Sequence, residues 1–338
     1  MKNRGVLATY GGAFHERSNL SIEVIEMIRF SREASRLLVY LVGGACVLTG
    51  NAIAQSSANA VQHLSFDSPE AWALKYFTSS TLLSGLQPPE IIDEERGTGS
   101  VTVGIELGWL PALNPERARV GFSGKKEEDV NKAPVLIRPS VRVGLPWRFA
   151  LVAAGPPPVR AFGVTPSLFA FGLERPILER RRWRLGWRGY GQAGSVKSAF
   201  TCPQQALAFP ARSPGNPSGC IGTSADVASL RYAGTEVQFA YRISQLPRLT
   251  PHVAAGVNLI DAIFQVNAPL ETRFDRTRLW TRGKTFSGSA GVSYSLTKRA
   301  ALTVDTFYTP LWVRRASGGP RMNDGLFNVR ALLSYTLR

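Results

Sequence analysis

Histidine and cysteine are scarce in this sequence, with three of each among 338 residues. Neither Cys202 nor Cys220 has a neighbouring cysteine or histidine at zinc-ligand spacing, so no metal and no cofactor are expected. Of the histidines, His15 and His63 lie near the N-terminus and His252 opens an extended stretch. A hydrolase needs a nucleophile beside such a base, and nothing local to His252 supplies one, so it reads as a structural residue and no enzyme is expected. Acidic side chains are also few: 24 Asp and Glu against 40 Lys and Arg give a formal charge of +16 and a pI near 10.3. The acidic cluster Glu127, Glu128 and Asp129 lacks the Asp/Asn/Gly spacing of a calcium loop and sits among lysines, as a solvated loop does. The apolar run from Leu37 to Thr49 is too short for a helical membrane span.

That run belongs to an export signal. Arg29, Arg32 and Arg36 precede it, and Ala52, Ile53 and Ala54 follow with the small residues a signal peptidase needs, placing cleavage between Ala54 and Gln55. The signal peptide is read as residues 27–54, with Met27 the true start and residues 1–26 an upstream extension. A lipoprotein signal at Cys46 is the alternative, but Gly43 and Gly44 stand where such a site has an aliphatic residue. Export implies a disulfide between Cys202 and Cys220 across a Pro-, Gly- and Ser-rich loop. Residues 1–54 carry six Lys/Arg and four Asp/Glu, a net +2, so the exported part keeps 16 − 2 = +14. Outside the cytoplasm the matching anions are lipopolysaccharide phosphates, anionic lipids and anionic solutes, not nucleic acid.

The stretch RRWRLGWRGYG, residues 181–191, mixes bases and aromatics as a nucleic-acid groove does. Read with a period of two it separates: Arg182, Arg184, Gly186 and Arg188 on one face, Trp183, Leu185 and Trp187 on the other. The same period dominates beyond residue 98, in Val101–Trp109, in Phe286–Leu296 and in Phe327–Leu337, where Leu332 is the one exception. The runs are the length of a tilted strand crossing a bilayer, and their second face is Gly, Ser, Thr, Asn and Arg, which suits a wet lumen. Trp109, Trp147, Trp183, Trp280 and Trp312 fall near strand ends, as interfacial girdles require.

Connections alternate in length. Short ones fall at 144–148, 179–183, 244–249 and 296–300; long polar ones fall at 124–134, 155–166, 200–226, 267–277 and 314–324. About 11 strands are counted directly, and closure with both ends on one side needs an even number, so the expectation is an all-β antiparallel barrel of about 12 strands, with 10 as the alternative. With its signal, alternating strands and C-terminal strand, the chain resembles bacterial outer-membrane β-barrel proteins over most of residues 99–338. Arg330, Tyr335 and Leu337 match the assembly signal of that class; Leu332 and the terminal Arg338 depart from it. The resemblance implies an outer-membrane location and, as partners, the barrel-assembly machinery, outer-membrane lipids and lipopolysaccharide, and small solutes. No local signature of a barrel phospholipase or lipid A deacylase is present.

Residues 55–98 form a segment before the barrel. Ser68 as N-cap, Pro69 at the first position and Glu70 in the first turn predict a helix ending near Gly85, which either plugs the lumen, lies at the interface or docks under the barrel. By strand parity Arg138, Arg142, Arg184, Arg188, Arg242 and Arg330 share the polar faces with Glu106 and Glu236 and are candidate pore-lining residues. Either these arginines give a positive wall that favours anions, or they pair with Glu106, Glu174, Glu236 and Asp305 to close a small barrel. The first makes the protein a passive channel or uptake pore for small anionic or amphipathic solutes. The second makes it a structural or surface-interaction barrel. A lipid-modifying enzyme is a third, weaker alternative.

Overall fold

The computed structural model describes residues 61–85, 98–113, 117, 119–120, 126–127, 134–316 and 318–337. The signal segment 27–54 with its cleavage site, and residues 1–26, lie outside the described residues.

Ten antiparallel strands close into a barrel: β1 (Val101–Trp109), β2 (Val135–Gly144), β3 (Ala150–Ala154), β4 (Thr165–Glu179), β5 (Trp183–Ser198), β6 (Asp226–Tyr241), β7 (Leu249–Gln265), β8 (Arg278–Ser295), β9 (Ala300–Thr309) and β10 (Leu326–Thr336). Each pairs with its sequence neighbours, and β10 closes on β1 with Val329 opposite Trp109 and Thr336 opposite Thr102. The number is therefore ten and not 12. Counting bilayer-length runs overcounts because β4 to β8 are 15 to 18 residues long, well beyond the ~9–11 a tilted crossing needs. A short strand, Val61–His63, adds in parallel to Arg278–Trp280 of β8.

The period of two is realised as two environments. Val103, Ile105, Leu107 and Trp109 point outward and are exposed, while Thr102, Glu106 and Gly108 point into the barrel and are buried. On β5, Trp183, Leu185 and Trp187 face out and Arg184, Gly186 and Arg188 face in. Thr235, a polar residue on the outer face, receives the Trp187 indole N–H at 2.8 Å. The C-terminal exception, buried Leu332, fills the inner space beside Gly104.

Short turns gather at one end, at 145–149, 180–182, 242–248 and 296–299, and both barrel termini join them: Gly99 N–H donates to Gly144 and Leu337 N–H to Val101. The five long connections gather at the other end. One helix, α1 (Pro69–Ser80), lies inside the barrel at that long-loop end. Ser68 caps it, its side chain accepting from the Ala71 N–H at 3.2 Å. It stops five residues before Gly85, because Thr78, Ser80 and Thr81 turn their hydroxyls back onto the carbonyls of Leu74, Phe77 and Thr78. Nine of its 12 residues are buried, on all sides, as for a helix enclosed by other structure. From its strand at the loop end the chain thus runs down inside the barrel, and it begins β1 at the turn end.

Candidate functional site

The lumen is layered. At the loop end it is apolar: Trp72, Leu82, Ile260, Phe307, Leu311 and Leu326 form one buried cluster around α1. Polar anchors tie the helix to the loops. Trp72 donates its indole N–H to the Asp324 carbonyl at 2.9 Å, with the Arg315 guanidinium 4.6 Å above its ring. The Lys75 ammonium donates to the carbonyls of Phe66 at 2.5 Å and Trp312 at 2.6 Å and sits 4.4 Å from the Phe66 ring centre. These contacts replace part of its lost water, yet burial, helped by the charge of Arg321, pushes it down to about 7. At the rim, the Ser65 hydroxyl and the Arg314 guanidinium hold the Asp67 carboxyl below its usual range.

Below the helix comes a charged layer built from cross-strand pairs. Glu106 stands opposite Arg138, Glu174 opposite Arg188, Arg188 opposite Glu236, and Asp305 opposite Arg330. Arg138 Nε reaches Glu106 at 2.6 Å; Arg188 reaches Glu174 at 2.7 Å and Glu236 at 3.0 Å; Arg142 reaches Glu174 at 3.0 Å across the short strand β3; Arg330 holds Asp305 through two nitrogens at 2.7 and 3.1 Å. Four guanidiniums meet four carboxylates, so the layer is formally neutral, 4 − 4 = 0.

Residues 81–85, which follow the helix without regular secondary structure, lie against this layer. The Thr81 carbonyl accepts from Arg138 at 2.6 Å and from the Tyr232 hydroxyl at 3.0 Å. Arg138 and Arg330 donate to the Leu82 carbonyl, and Arg188 to that of Leu83. The Leu83 N–H returns to the Tyr232 oxygen at 2.9 Å, and the Gly85 N–H reaches both Glu236 oxygens at 3.1 and 3.2 Å. Gly85 has φ +79°, and a Cβ there would lie 2.1 Å from the Ser289 hydroxyl, so the tightest point of the segment requires glycine.

Thus Arg138, Arg142, Arg188, Arg330, Glu106 and Glu236 lie together, buried in the lumen. Arg184 points inward at the turn end and pairs with Glu179 at 2.7 Å, whereas Arg242 is exposed in the 242–248 turn, beyond the strand whose parity assigned it. Tyr190, Gln192 and Tyr232 were missed as lumen polar groups; inward parity on β5 and β6 was the signal that could have found them. His252 is 4 % exposed, and neither of its nitrogens has a hydrogen-bond partner. Its register partner Gly291 places Ser289 and Ser293 at its diagonals, but the Ser289 hydroxyl is itself unbonded and that of Ser293 accepts from Thr303, so no Ser–His pair forms at His252. Among the described residues no group of three His, Cys, Asp or Glu converges as a metal site. In the longest described loop Cys202 and Cys220 are joined by a disulfide.

No protein-family model matches the sequence, and no curated protein matches it. Solved structures do match at the level of the fold. The outer-membrane protease OmpT of Escherichia coli is 12 % identical, with a TM-score of 0.34 over 71 % of this chain and 94 % of that one. Neisserial surface protein A is 9 % identical, TM-score 0.30, over 70 % and 96 %. The attachment invasion locus protein of Yersinia pestis is 9 % identical, TM-score 0.28, over 71 % and 99 %. Closed and antiparallel, with an apolar outer face and a charged layer within, the chain has the architecture of a bacterial outer-membrane β-barrel.

Proposed function

We propose that the protein is a closed outer-membrane barrel that works at the cell surface through its long loops, and not a constitutively open anion pore. One observation carries this: segment 81–85 occupies the lumen, hydrogen-bonded by Arg138, Arg188, Arg330, Tyr232 and Glu236. An anion filter needs cations with unspent charge, and these arginines, together with Arg142, are neutralised one for one by four carboxylates. The working surface is then the loop end, where Arg160, Arg212, Arg273, Arg276 and Arg321 are exposed. These cations suit a partner rich in phosphate or carboxylate groups on the surface of this or another cell.

A second reading is a gated uptake pore for small anionic or amphipathic solutes. It is favoured by buried polar atoms left without partners, His252 Nδ1 and Nε2, Ser289 Oγ, Glu106 Oε1 and Asn328 Oδ1, which a solute or water would satisfy once the segment moved. Planar-bilayer recordings on the purified protein separate the two. The closed barrel gives no steady conductance, with or without added anions; steady anion-selective current from the intact chain overturns it, and current that appears only with a particular solute identifies the gated pore.

A further inference from the structure

Cations stand on the lipid-facing side of the barrel as well as inside it: Arg175 of β4 toward the turn end, Lys197 of β5 at the loop end, and a cluster on β6 and β8. In the outward series of β8, Tyr294, Val292, Ala290, Gly288 and Phe286 are succeeded toward the loop end by Lys284, Arg282, Trp280 and Arg278. Register places Arg282 beside Asp261 of β7 and Asp261 beside Arg231 of β6, with Lys284 beside Leu259 one row below. Asp261 accepts the Trp280 indole N–H at 2.6 Å, and among the described residues neither Arg231, Arg282 nor Lys284 makes an ion pair; with Asp261 between them the three cations keep a formal 3 − 1 = +2. Immediately below lies bare apolar surface, with Phe286 63 %, Leu259 44 % and Val257 39 % exposed. On β9, β10 and β1, the strands that follow β8 around the barrel, the outward residues toward the loop end are Tyr308, Phe327 and Trp109, with no cation among them.

We infer that Arg231, Arg282 and Lys284 form a binding site for the phosphorylated glycolipid of the outer leaflet, its phosphates on the three cations and its acyl chains along Phe286, Leu259 and Val257. The short turns mark the periplasmic end, so these cations stand at the outer headgroup level. There they gain attraction from anionic headgroups and keep their charge in a wet layer. Arg231 and Arg282 are held two strand spacings apart, about 10 Å, with Asp261 between them. That separation matches a headgroup carrying two phosphates better than a phospholipid carrying one. The site does not depend on whether the lumen is closed.

The test uses the full chain in detergent, titrated with bisphosphorylated lipid A, its dephosphorylated form and phosphatidylglycerol. Bisphosphorylated lipid A is expected to bind most tightly, with affinity falling as salt rises. Arg231→Ser/Arg282→Ser/Lys284→Ser is expected to lower that affinity about a hundredfold, at roughly fivefold per cation. The heat-modifiable gel shift of a folded barrel is expected to survive in this variant. Arg231→Lys/Arg282→Lys keeps the charge and is expected to retain most of the affinity. Wild-type affinity in the triple variant, equal binding of dephosphorylated lipid A, or equal binding of phosphatidylglycerol overturns the assignment.

Discussion

Glu236 is where the wall and the plugging segment meet, and replacing it tests whether the segment is locked by the charged layer. Its carboxylate serves Arg188 at 3.0 Å, Gln238 at 2.6 Å and the Gly85 N–H at 3.1 Å, with its side chain fully buried. Glu236→Gln keeps the shape and an acceptor for Gly85 but leaves the lumen one positive charge in excess. Breaking a buried pair from one side costs about 3–5 kcal/mol, and the lower end applies because Arg188 keeps Glu174. If that cost falls on docking of residues 81–85, the undocked population rises about a hundredfold or more, at about 1.4 kcal/mol per tenfold.

The assay is the rate at which a thiol reagent labels Ser84→Cys, with Cys46 replaced by serine. Ser84 is buried against Ser287 at 3.3 Å, so labelling reports undocking. The rate is expected to rise about a hundredfold in Glu236→Gln. It is expected to fall back in Glu236→Gln/Arg188→Gln, which restores three guanidiniums against three carboxylates. Labelling within threefold of the parent in the single variant refutes the lock.

Other perturbations act on different parts of the same structure. Gly85→Ala forces a left-handed alanine, worth roughly 1–2 kcal/mol, into the Ser289 hydroxyl; faster labelling at position 84 is expected, partly reversed by adding Ser289→Gly. Reduction of Cys202–Cys220, separated by 18 residues, removes about 3 kcal/mol of loop constraint. Protease cutting within 203–219 is then expected, with the heat-modifiable barrel unchanged. The Lys75 ammonium titrates near 7 when docked and near 10.4 when free, so the undocked state binds more protons between those values. Labelling at position 84 is therefore expected to slow as pH rises from 7 to 10, after correction for reagent reactivity, to be flat below 7, and to lose this slope in Lys75→Met.

The barrel and the alternation of its connections were readable because a strand with lipid on one side and a lumen on the other must alternate residue by residue, and RRWRLGWRGYG does so. The strand number was not readable, since nothing in a run such as Arg278–Ser295 marks where the bilayer ends and the strand continues. Nor was the place of α1. Its caps are local and were seen, but its burial is given mostly by β-strands more than a hundred residues away. The lumen arginines were visible by parity, but their partners were a choice between two readings. Pairing Glu106 with Arg138, or Asp305 with Arg330, needs the cross-strand register, which closure of the barrel and not local sequence decides.

That register bears on the meaning of the charge. A basic barrel suggests a basic pore, yet the inward layer sums to zero, so the chain's formal +16 comes from residues outside that layer, the outward cations of β6 and β8 among them. Inside the barrel an unpaired guanidinium bears a desolvation cost that a carboxylate on the next strand offsets. Outside, at headgroup level, the same guanidinium stays hydrated and finds lipid phosphates as partners. The inward and outward arginines thus answer to one rule in two solvents. If it holds, added salt weakens lipid binding at Arg231 and Arg282 strongly, while labelling at Ser84→Cys changes little, because buried pairs are screened far less than exposed ones.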